Sequence, residues 1–358
     1  MARTLDERLR PPRPVLPALA IALAVALDGR GEEAGDGPAI RPREAWSAVF
    51  GGAPADLHFD IRGVPDARVR VGWAVSIGTR TVATGEVEAA PGAGGSASAA
   101  VHLDPPPVKD GVVLPALLRL SITQPGRRRP LARAEKTLWI FPRDPFADRA
   151  RWLKGLKITL LDPAGTTAEA FEKMGIPFQP ARDVDAVAAL KEGTLVIGEG
   201  VSFAEQRGLA EAMAALAARG VPILCLAPSD GAIPIPDAGA ARSIMLRRAD
   251  VIAALDKRLD AEGWPGDGEL IAGGLVLKAD GDRPIGEFVA GRVGWPWLEV
   301  GYPGRKGRLV VCGFGLLSHW EAGPTPRFLL ARMLEVVVGQ DKEPERPGPL
   351  PEPEPEGE

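Results

Sequence analysis

Two short stretches of the chain carry residue types able to do covalent chemistry. Cys225 stands near the end of the apolar run VPILCLA, just before the turn residues PSDG. His319, Trp320 and Glu321 follow a second apolar run, RLVVCGFG. A thiol presented at a strand end, with an imidazole to take its proton, is the arrangement of nucleophilic acyl chemistry. A thiol buried within a strand is only a small apolar side chain. Cys225 therefore has two readings, and its surroundings must decide. Cys312 also lies in an apolar run. Two cysteines exclude a disulfide scaffold and a four-cysteine zinc site. One disulfide between adjacent strands stays open if the Cα atoms approach closely enough.

The elements that position these residues start at about 156. LKITLLD is a mostly apolar strand, as in a parallel sheet covered on both faces. The helix TTAEAFEKMG, the short strand IPFQPA, the helix DVDAVAALKEG and the strand TLVIGEG follow. SFAEQRGLAEAMAALAARG reads as a helix capped by the Ser202–Glu205 box and ended by Gly220. VPILCLA is the next strand, and the alternation predicts a doubly wound sheet with right-handed crossovers. Further on, residues 247–263 read as a helix. ELIAGGLVLKAD, WPWLEVGY and GRLVVCGFG read as strands, and PTPRFLLARMLEVVVG as a closing helix.

Ligands of open parallel sheets bind beyond the carboxyl ends of the strands. Those ends supply Asp162 with Thr166 and Thr167, Glu199 with Ser202, Ser229 with Asp230, and finally Ser318, His319 and Glu321. This polar funnel is the candidate ligand site. Asp162, Glu199 and Asp230 would also suit a glycan-directed hydrolase, which needs two carboxyls about 5–10 Å apart. Ser202, Asp230 and His319 would suit a serine hydrolase. Each residue has a plainer role beside the chemical one: Ser202 as a helix cap, Asp162 as a turn cap, His319 as a surface residue beside Trp320. The GEG of VIGEGVSF lacks the spacing of a phosphate loop, and Glu199 would repel phosphate.

The region before this sheet has a different rhythm. In ARVRVGWAVSI, Val69, Val71, Trp73, Val75 and Ile77 alternate with polar or small residues, the pattern of a half-buried strand. ADLHFDI and LLRLSIT alternate likewise, AAVHL and KTLWIF add strands, and GEVEA suggests another. Gly/Pro-rich turns separate them at the spacing of a β-sandwich. The expectation is an immunoglobulin-like or fibronectin-like sandwich of about seven strands, a likeness of architecture only, since no cysteine pair is present.

Residues 156 to about 340 resemble the class I glutamine amidotransferase-like, flavodoxin-type fold. KITLLD, GTLVIGEG, ARGVPILCLAPSDG and GRLVVCGFGLLSHW carry the resemblance. It is nearest to the non-catalytic domains of trehalose-utilisation-like and β-galactosidase-associated proteins. In active members the nucleophile follows the strand directly and opens a helix, whose N-terminus lowers the thiol pKa. Here that alignment puts Ala227 near the nucleophile position and Cys225 two residues inside the strand. Pro228, Pro234 and Pro236 oppose a helix after it. His319-x-Glu321 keeps the family's spacing, but a base without a nucleophile transfers no acyl group. The resemblance thus implies a catalytically degenerate domain, with no cofactor.

The chain has 358 residues and a formal net charge of −4. The Pro/Glu-rich tail from Asp341 carries −5 of this, so the body is near neutral. That argues against a nucleic-acid footprint, which needs a basic stripe. Arg3, Arg8, Arg10 and Arg13 precede the apolar run VLPALAIALAVAL, and Ala24-Val25-Ala26 fits a small-x-small cleavage pattern. An exported protein is expected; an uncleaved anchor, the one route to membrane association, or a disordered leader is the alternative. His58, His102 and His319 share no zinc spacing, and DPAGTT and DGDR are only generic calcium patterns. Trp264, Trp295, Trp297 and Trp320 are either core or a sugar-stacking platform. The domain expectation is a leader and linker at 1–44, a sandwich at 45–146, an α/β domain at 147–340 and a disordered tail at 341–358. The expected role is binding or scaffolding at the bacterial envelope or exterior, with carbohydrate or another protein as partner. The alternatives are the glycan-directed hydrolase, and a module whose sandwich is the adhesive surface.

Overall fold

The computed structural model describes residues 37–64, 68–90, 92, 94–124, 129–234, 243–261, 275–279, 283–288, 296–305 and 307–339. The leader, the acidic tail, Trp264, Trp295, and Asp280 and Asp282 of DGDR lie outside the described residues.

Eight strands come first: β1 Ala39–Pro42, β2 Ala48–Phe50, β3 Ala55–Arg62, β4 Val69–Ile77, β5 Arg80–Ala89, β6 Ala97–Leu103, β7 Leu114–Thr123 and β8 Ala132–Phe141. They form two sheets, ordered β1-β3-β6 and β2-β8-β7-β4-β5. Pairing is antiparallel except between β2 and β8. The alternation read from the sequence is the packing pattern over most of its length; in β4 it breaks at the register shift between Val75 and Ser76, where Ser76, expected on the polar face, is buried. Leu57, Phe59 and Ile61 of β3 meet Val69 and Val71 of β4 and Leu118, Leu120 and Ile122 of β7 in one buried core. Each such side chain contributes about 1.5–3 kcal/mol on burial. One correction concerns the first strand. Ala39–Pro42 falls in the stretch expected to be linker, yet it pairs with β3, with Ile40 opposite Ile61. Four residues are too few to show alternation, but Ile40 is buried.

The second region begins with α1 Ala150–Leu156, β9 Ile158–Leu161, α2 Thr166–Lys173, β10 Phe178–Pro180, α3 Val184–Ala188, β11 Thr194–Ile197, α4 Leu209–Ala218 and β12 Ile223–Leu226. It continues with β13 Ala232–Pro234, β14 Ser243–Arg247, α5 Asp250–Leu255, β15 Leu275–Ala279, β16 Arg283–Phe288, β17 Trp297–Gly301, β18 Arg308–Cys312 and α6 Pro324–Val337. Seven strands form one sheet in the order β10-β9-β11-β12-β18-β17-β14. The first five run parallel, and β17 and β14 are antiparallel additions. The order reverses between β9 and β11, the switch point where such sheets open a crevice. β13, β15 and β16 form a separate small sheet.

Strands β11 and β12 are buried along their whole length, because helices cover both faces. Val187 of α3 and Leu209, Met213 and Leu216 of α4 pack on one face, against Leu195, Ile197 and Cys225. Phe171 of α2, Ile252 of α5 and Leu330 and Met333 of α6 pack on the other, with Leu160, Leu224 and Cys312. That second core also takes in Ala48 and Phe141 of the β region. The two cysteines answer the disulfide question. They lie on neighbouring strands, where Leu226 rather than Cys225 is opposite Cys312, and they belong to opposite layers. Both are free thiols.

Two helices are shorter than their patterns. Ser202 does not cap α4, which starts at Leu209 because Gly208 takes φ +81°. Ser202 Oγ instead accepts the Glu205 N–H at 3.2 Å, closing a turn. The helix read at 247–263 is α5, six residues long. Asp256 ends it in an extended conformation, with its carboxylate bidentate on Arg258 (2.8 and 2.6 Å) and also bonded to Arg332 of α6. Local ion pairing here outweighs helix periodicity.

The β and α/β regions are stitched by a carboxylate. Asp260 accepts the N–H groups of Ser47 (2.6 Å) and Ala48 (3.0 Å), and its own N–H donates to Thr325 Oγ1 (3.0 Å). Beside it, Lys136 Nζ donates to the Glu44 carbonyl (3.1 Å).

Candidate functional site

The strand ends hold the residues expected to form a funnel, but most of them are engaged in holding loops. Asp162 follows β9, and its Oδ2 accepts the Ala168 N–H at 2.8 Å, capping the first turn of α2. Its Oδ1 is buried against Gly198. A side chain at Gly198 would come within 2.9 Å of that oxygen and of Thr167 Oγ1, so the close approach needs glycine. Thr167 is fully buried and accepts the Glu199 N–H at 2.9 Å. Glu199 then reaches across to the loop after β18. Its two oxygens accept the N–H groups of Leu317 (2.8 Å) and Ser318 (3.2 Å). In that loop His319 Nδ1 lies 2.9 Å from the Gly315 carbonyl and 3.1 Å from Ser318 Oγ. A carbonyl only accepts, so this nitrogen is the protonated one.

The turn after β12 has an uncommon backbone conformation. Ala227 adopts φ +26°, a left-handed value that a residue with a side chain avoids. Two hydrogen bonds hold it there. Its N–H donates to the Cys312 carbonyl (2.6 Å), and its carbonyl accepts the Gly200 N–H (2.9 Å). Cys225 stands two residues back, fully buried. Burial drives its thiol far above the ordinary range, and the thiol of Cys312 up to about 12 for the same reason. Neither supplies a thiolate near neutral pH. Ser202 and Asp230 flank this turn and are bonded to each other, the hydroxyl donating to the carboxylate. The neighbouring Ser229 donates its N–H to the Val201 carbonyl at 3.1 Å. A serine whose proton rests on a carboxylate is not the activated serine of a Ser202/Asp230/His319 set.

Beside the loop of Glu199 opens a cleft of about 780 Å³. Of the expected site residues, Thr166, Glu199, Ser318 and Glu321 line it. Asp162 and Thr167 stand behind its wall, while Ser202, Ser229 and Asp230 lie apart around the Ala227 turn. The cleft also brings in residues that sequence reasoning missed: Arg143, Asp144 and Arg327. Arg327 organises the wall. Its Nε donates to the Trp320 carbonyl (2.9 Å), Nη1 to the Arg143 carbonyl (3.0 Å) and Nη2 to Glu321 Oε2 (2.7 Å). Its guanidinium lies over the rings of Phe50 (4.7 Å) and Trp320 (5.3 Å). A smaller cavity of about 210 Å³ adjoins, sharing Arg143, Glu321 and Arg327 with the cleft. The signal for Arg327 was present: it is a charge in the first turn of the largely apolar helix PTPRFLLARML. Arg143 sits in the connector FPRDPF, where nothing marked it.

Trp297 is fully buried and belongs to the core, which removes it from any sugar platform. Trp320 is partly exposed on the cleft wall. His58 Nδ1 lies 2.6 Å from Glu44, and His102 Nδ1 lies 2.7 Å from Asp56, so both imidazoles sit on carboxylates of the β region. Among the described residues, no group of three or more His, Cys, Asp or Glu is placed to hold a metal ion.

Fold and site together define a class: a β region of two sheets joined to a mostly parallel α/β sheet, with a mixed-charge cleft beyond the strand ends. No family model matches the chain, and no curated protein matches it. Among solved structures, 29% of the chain is similar to a β-glucosidase from Listeria innocua in complex with glucose, at 10% identity and TM-score 0.20. Over 54% of its length it is similar to a cycloisomaltooligosaccharide glucanotransferase from Paenibacillus sp. complexed with cycloisomaltoheptaose, at 12% identity and TM-score 0.25. The chain spans 16% and 27% of those two proteins. Likenesses this slight carry no argument about function.

Proposed function

We propose that this protein is a non-catalytic binding or scaffolding protein of the bacterial envelope or exterior, and that the cleft beyond the strand ends is its binding site. In this reading the α/β region is a degenerate amidotransferase-like domain of flavodoxin type, and the β region is an immunoglobulin-like sandwich. The parallel strand order 2-1-3-4-5 supports the first assignment. Two facing sheets with one core support the second. One observation carries the functional reading. The left-handed turn after β12 carries Ala227, and the two thiols near it, Cys225 and Cys312, are both buried. The strand-end carboxylates support the same view, since Glu199 and Asp162 hold backbone N–H groups. A link to carbohydrate rests on the family resemblance alone, and export on the leader pattern. Among the described residues no helix is long and apolar enough to cross a membrane.

A binding screen on glycans, with hydrolysis followed in parallel, tests the proposal. Binding without turnover, weakened by a bulky Ser318→Trp substitution in the cleft wall, is the expected result. Turnover abolished by Glu199→Gln would replace it with the glycan-directed hydrolase. A second reading makes the β region the adhesive surface. A trough of about 630 Å³ crosses the sheet of β4, β5, β7 and β8, with Gly72, Ala74 and Ser121 among its lining residues, and favours it. Retained partner capture in Ser318→Trp, lost in Ser121→Arg, would select that reading.

A further inference from the structure

The cleft is walled by charges of both signs, and nearly all are committed. Glu169 pairs with Lys173 at 2.7 Å, Asp144 accepts the Phe146 N–H at 2.7 Å, and both Glu199 oxygens hold the loop after β18. Arg143 differs. Its carbonyl serves Arg327, but its exposed guanidinium has no ion pair or hydrogen bond with any described residue. It lines both the cleft and the smaller cavity. Arg327 is the opposite case. Its side chain is 12% exposed, while its counter-ion Glu321 is 84% exposed. Burial depresses the Arg327 pKa, Glu321 works against this, and the neighbouring Arg143 charge adds to the depression.

A buried guanidinium, a second arginine lining the same cleft and cavity, and a counter-carboxylate washed by solvent form an anion position with an exchangeable occupant, while the exposed Asp144 also acts on Arg327 and favours its charge. An ion pair with so exposed a partner holds weakly. An anion contacting two guanidiniums gains charge-assisted, geometrically matched hydrogen bonds. We propose that the cleft binds a small ligand bearing one carboxylate or phosphate, which docks on Arg143 and Arg327 by displacing the Glu321 carboxylate. This rests on the reading of the cleft as the binding site. The cleft volume is that of a small-molecule site. Trp320 and Met174 offer apolar surface to the ligand body, and Asp144, Glu169 and Glu199 oppose a polyanion. An acidic sugar meets these conditions.

Titration of the full chain with glucuronate, glucose 6-phosphate and glucose tests this, with hydrogen exchange followed at 143–145 and 317–327. At least one acid should bind about tenfold or more tightly than glucose. Arg143→Ala should erase that preference, and Glu321→Gln, which removes the resident competitor, should strengthen it. Opposite signs at two exposed positions exclude a folding artefact. The better acid identifies carboxylate or phosphate as the anchor. Equal binding of glucose and the acids, indifferent to Arg143→Ala, overturns the anion position while keeping the cleft as a site. Binding that protects neither segment overturns the cleft itself. Acid binding weakened by Glu321→Gln overturns the displacement.

Discussion

Asp260 and Glu199 use the same chemistry in two places. Each carboxylate accepts two backbone N–H groups from a distant segment: Asp260 from Ser47 and Ala48, Glu199 from Leu317 and Ser318. Their surroundings differ. Glu199 faces the cleft, where the segment it holds forms part of a wall. Asp260 is enclosed at the junction of the β and α/β regions. Two accepted N–H bonds and the Lys136 charge favour its ionised form, but burial is the larger effect and raises its pKa to about 6. The same bond pattern thus makes a pH-responsive seam in one place and a shaped wall in the other.

The largest way to break the comparison is Asp260→Ala. It strands two N–H groups at the junction, with Ala48 fully buried, and should cost about 2–4 kcal/mol in chemical denaturation. Glu199→Ala should cost less, about 1–2 kcal/mol, because water can reach its partners. Hydrogen exchange should then rise at 315–322 and stay unchanged at 47–48. Equal costs, or exchange spreading to the junction, would merge the two roles.

A second measurement sharpens the difference by pH. The folded pKa of Asp260 lies above the ordinary 3.8, so the fold prefers the protonated acid. Its contribution to stability is full below about pH 4 and is lost as pH rises through about 6. The shift amounts to about 3 kcal/mol at most. Other carboxylates titrate too, so the readout is the difference between wild type and Asp260→Asn. That difference should change across pH 4–6 and level off above it. A constant difference would show that Asp260 is ionised throughout.

Thiol chemistry provides a third, binary contrast. Cys225 and Cys312 should resist alkylation in the native state and react once the chain unfolds, since both are buried and protonated at neutral pH. Fast native labelling of Cys225, with a low apparent pKa, would restore it as a nucleophile and implicate His319.

Most of the framework was legible in the sequence, for an identifiable reason. The strands of both regions are short runs whose neighbours differ sharply in polarity, so Val69-x-Val71 or KITLL states its environment directly. What escaped depends on distant partners. Ile40 pairs with Ile61, Gly208 starts a helix that Ser202 seemed placed to cap, and Asp256 stops α5 by binding arginines. The funnel was legible as a location and not as a chemistry. Part of the set gathers at one cleft, but whether a carboxylate faces a ligand or a backbone N–H depends on its partners: Asp162 caps a turn six residues on, while Glu199 is taken up by a loop more than a hundred positions away. Arg143 and Arg327 meet 184 residues apart, and no local pattern encodes that meeting.

The smallest expected effect tests the strained turn itself. Ala227 holds φ +26° through hydrogen bonds to Cys312 and Gly200 that survive any change of its side chain. Replacing alanine by glycine usually loses stability, because the unfolded chain gains freedom. At a left-handed position the relief of the methyl clash opposes that loss, at about 1 kcal/mol. Ala227→Gly should therefore be neutral or stabilising by up to about 1 kcal/mol in thermal and denaturant unfolding, whereas Ala227→Val should destabilise. A clear loss in Ala227→Gly would mean that the turn is relaxed with alanine in place. The proposed reading of a degenerate site would then lose its main support.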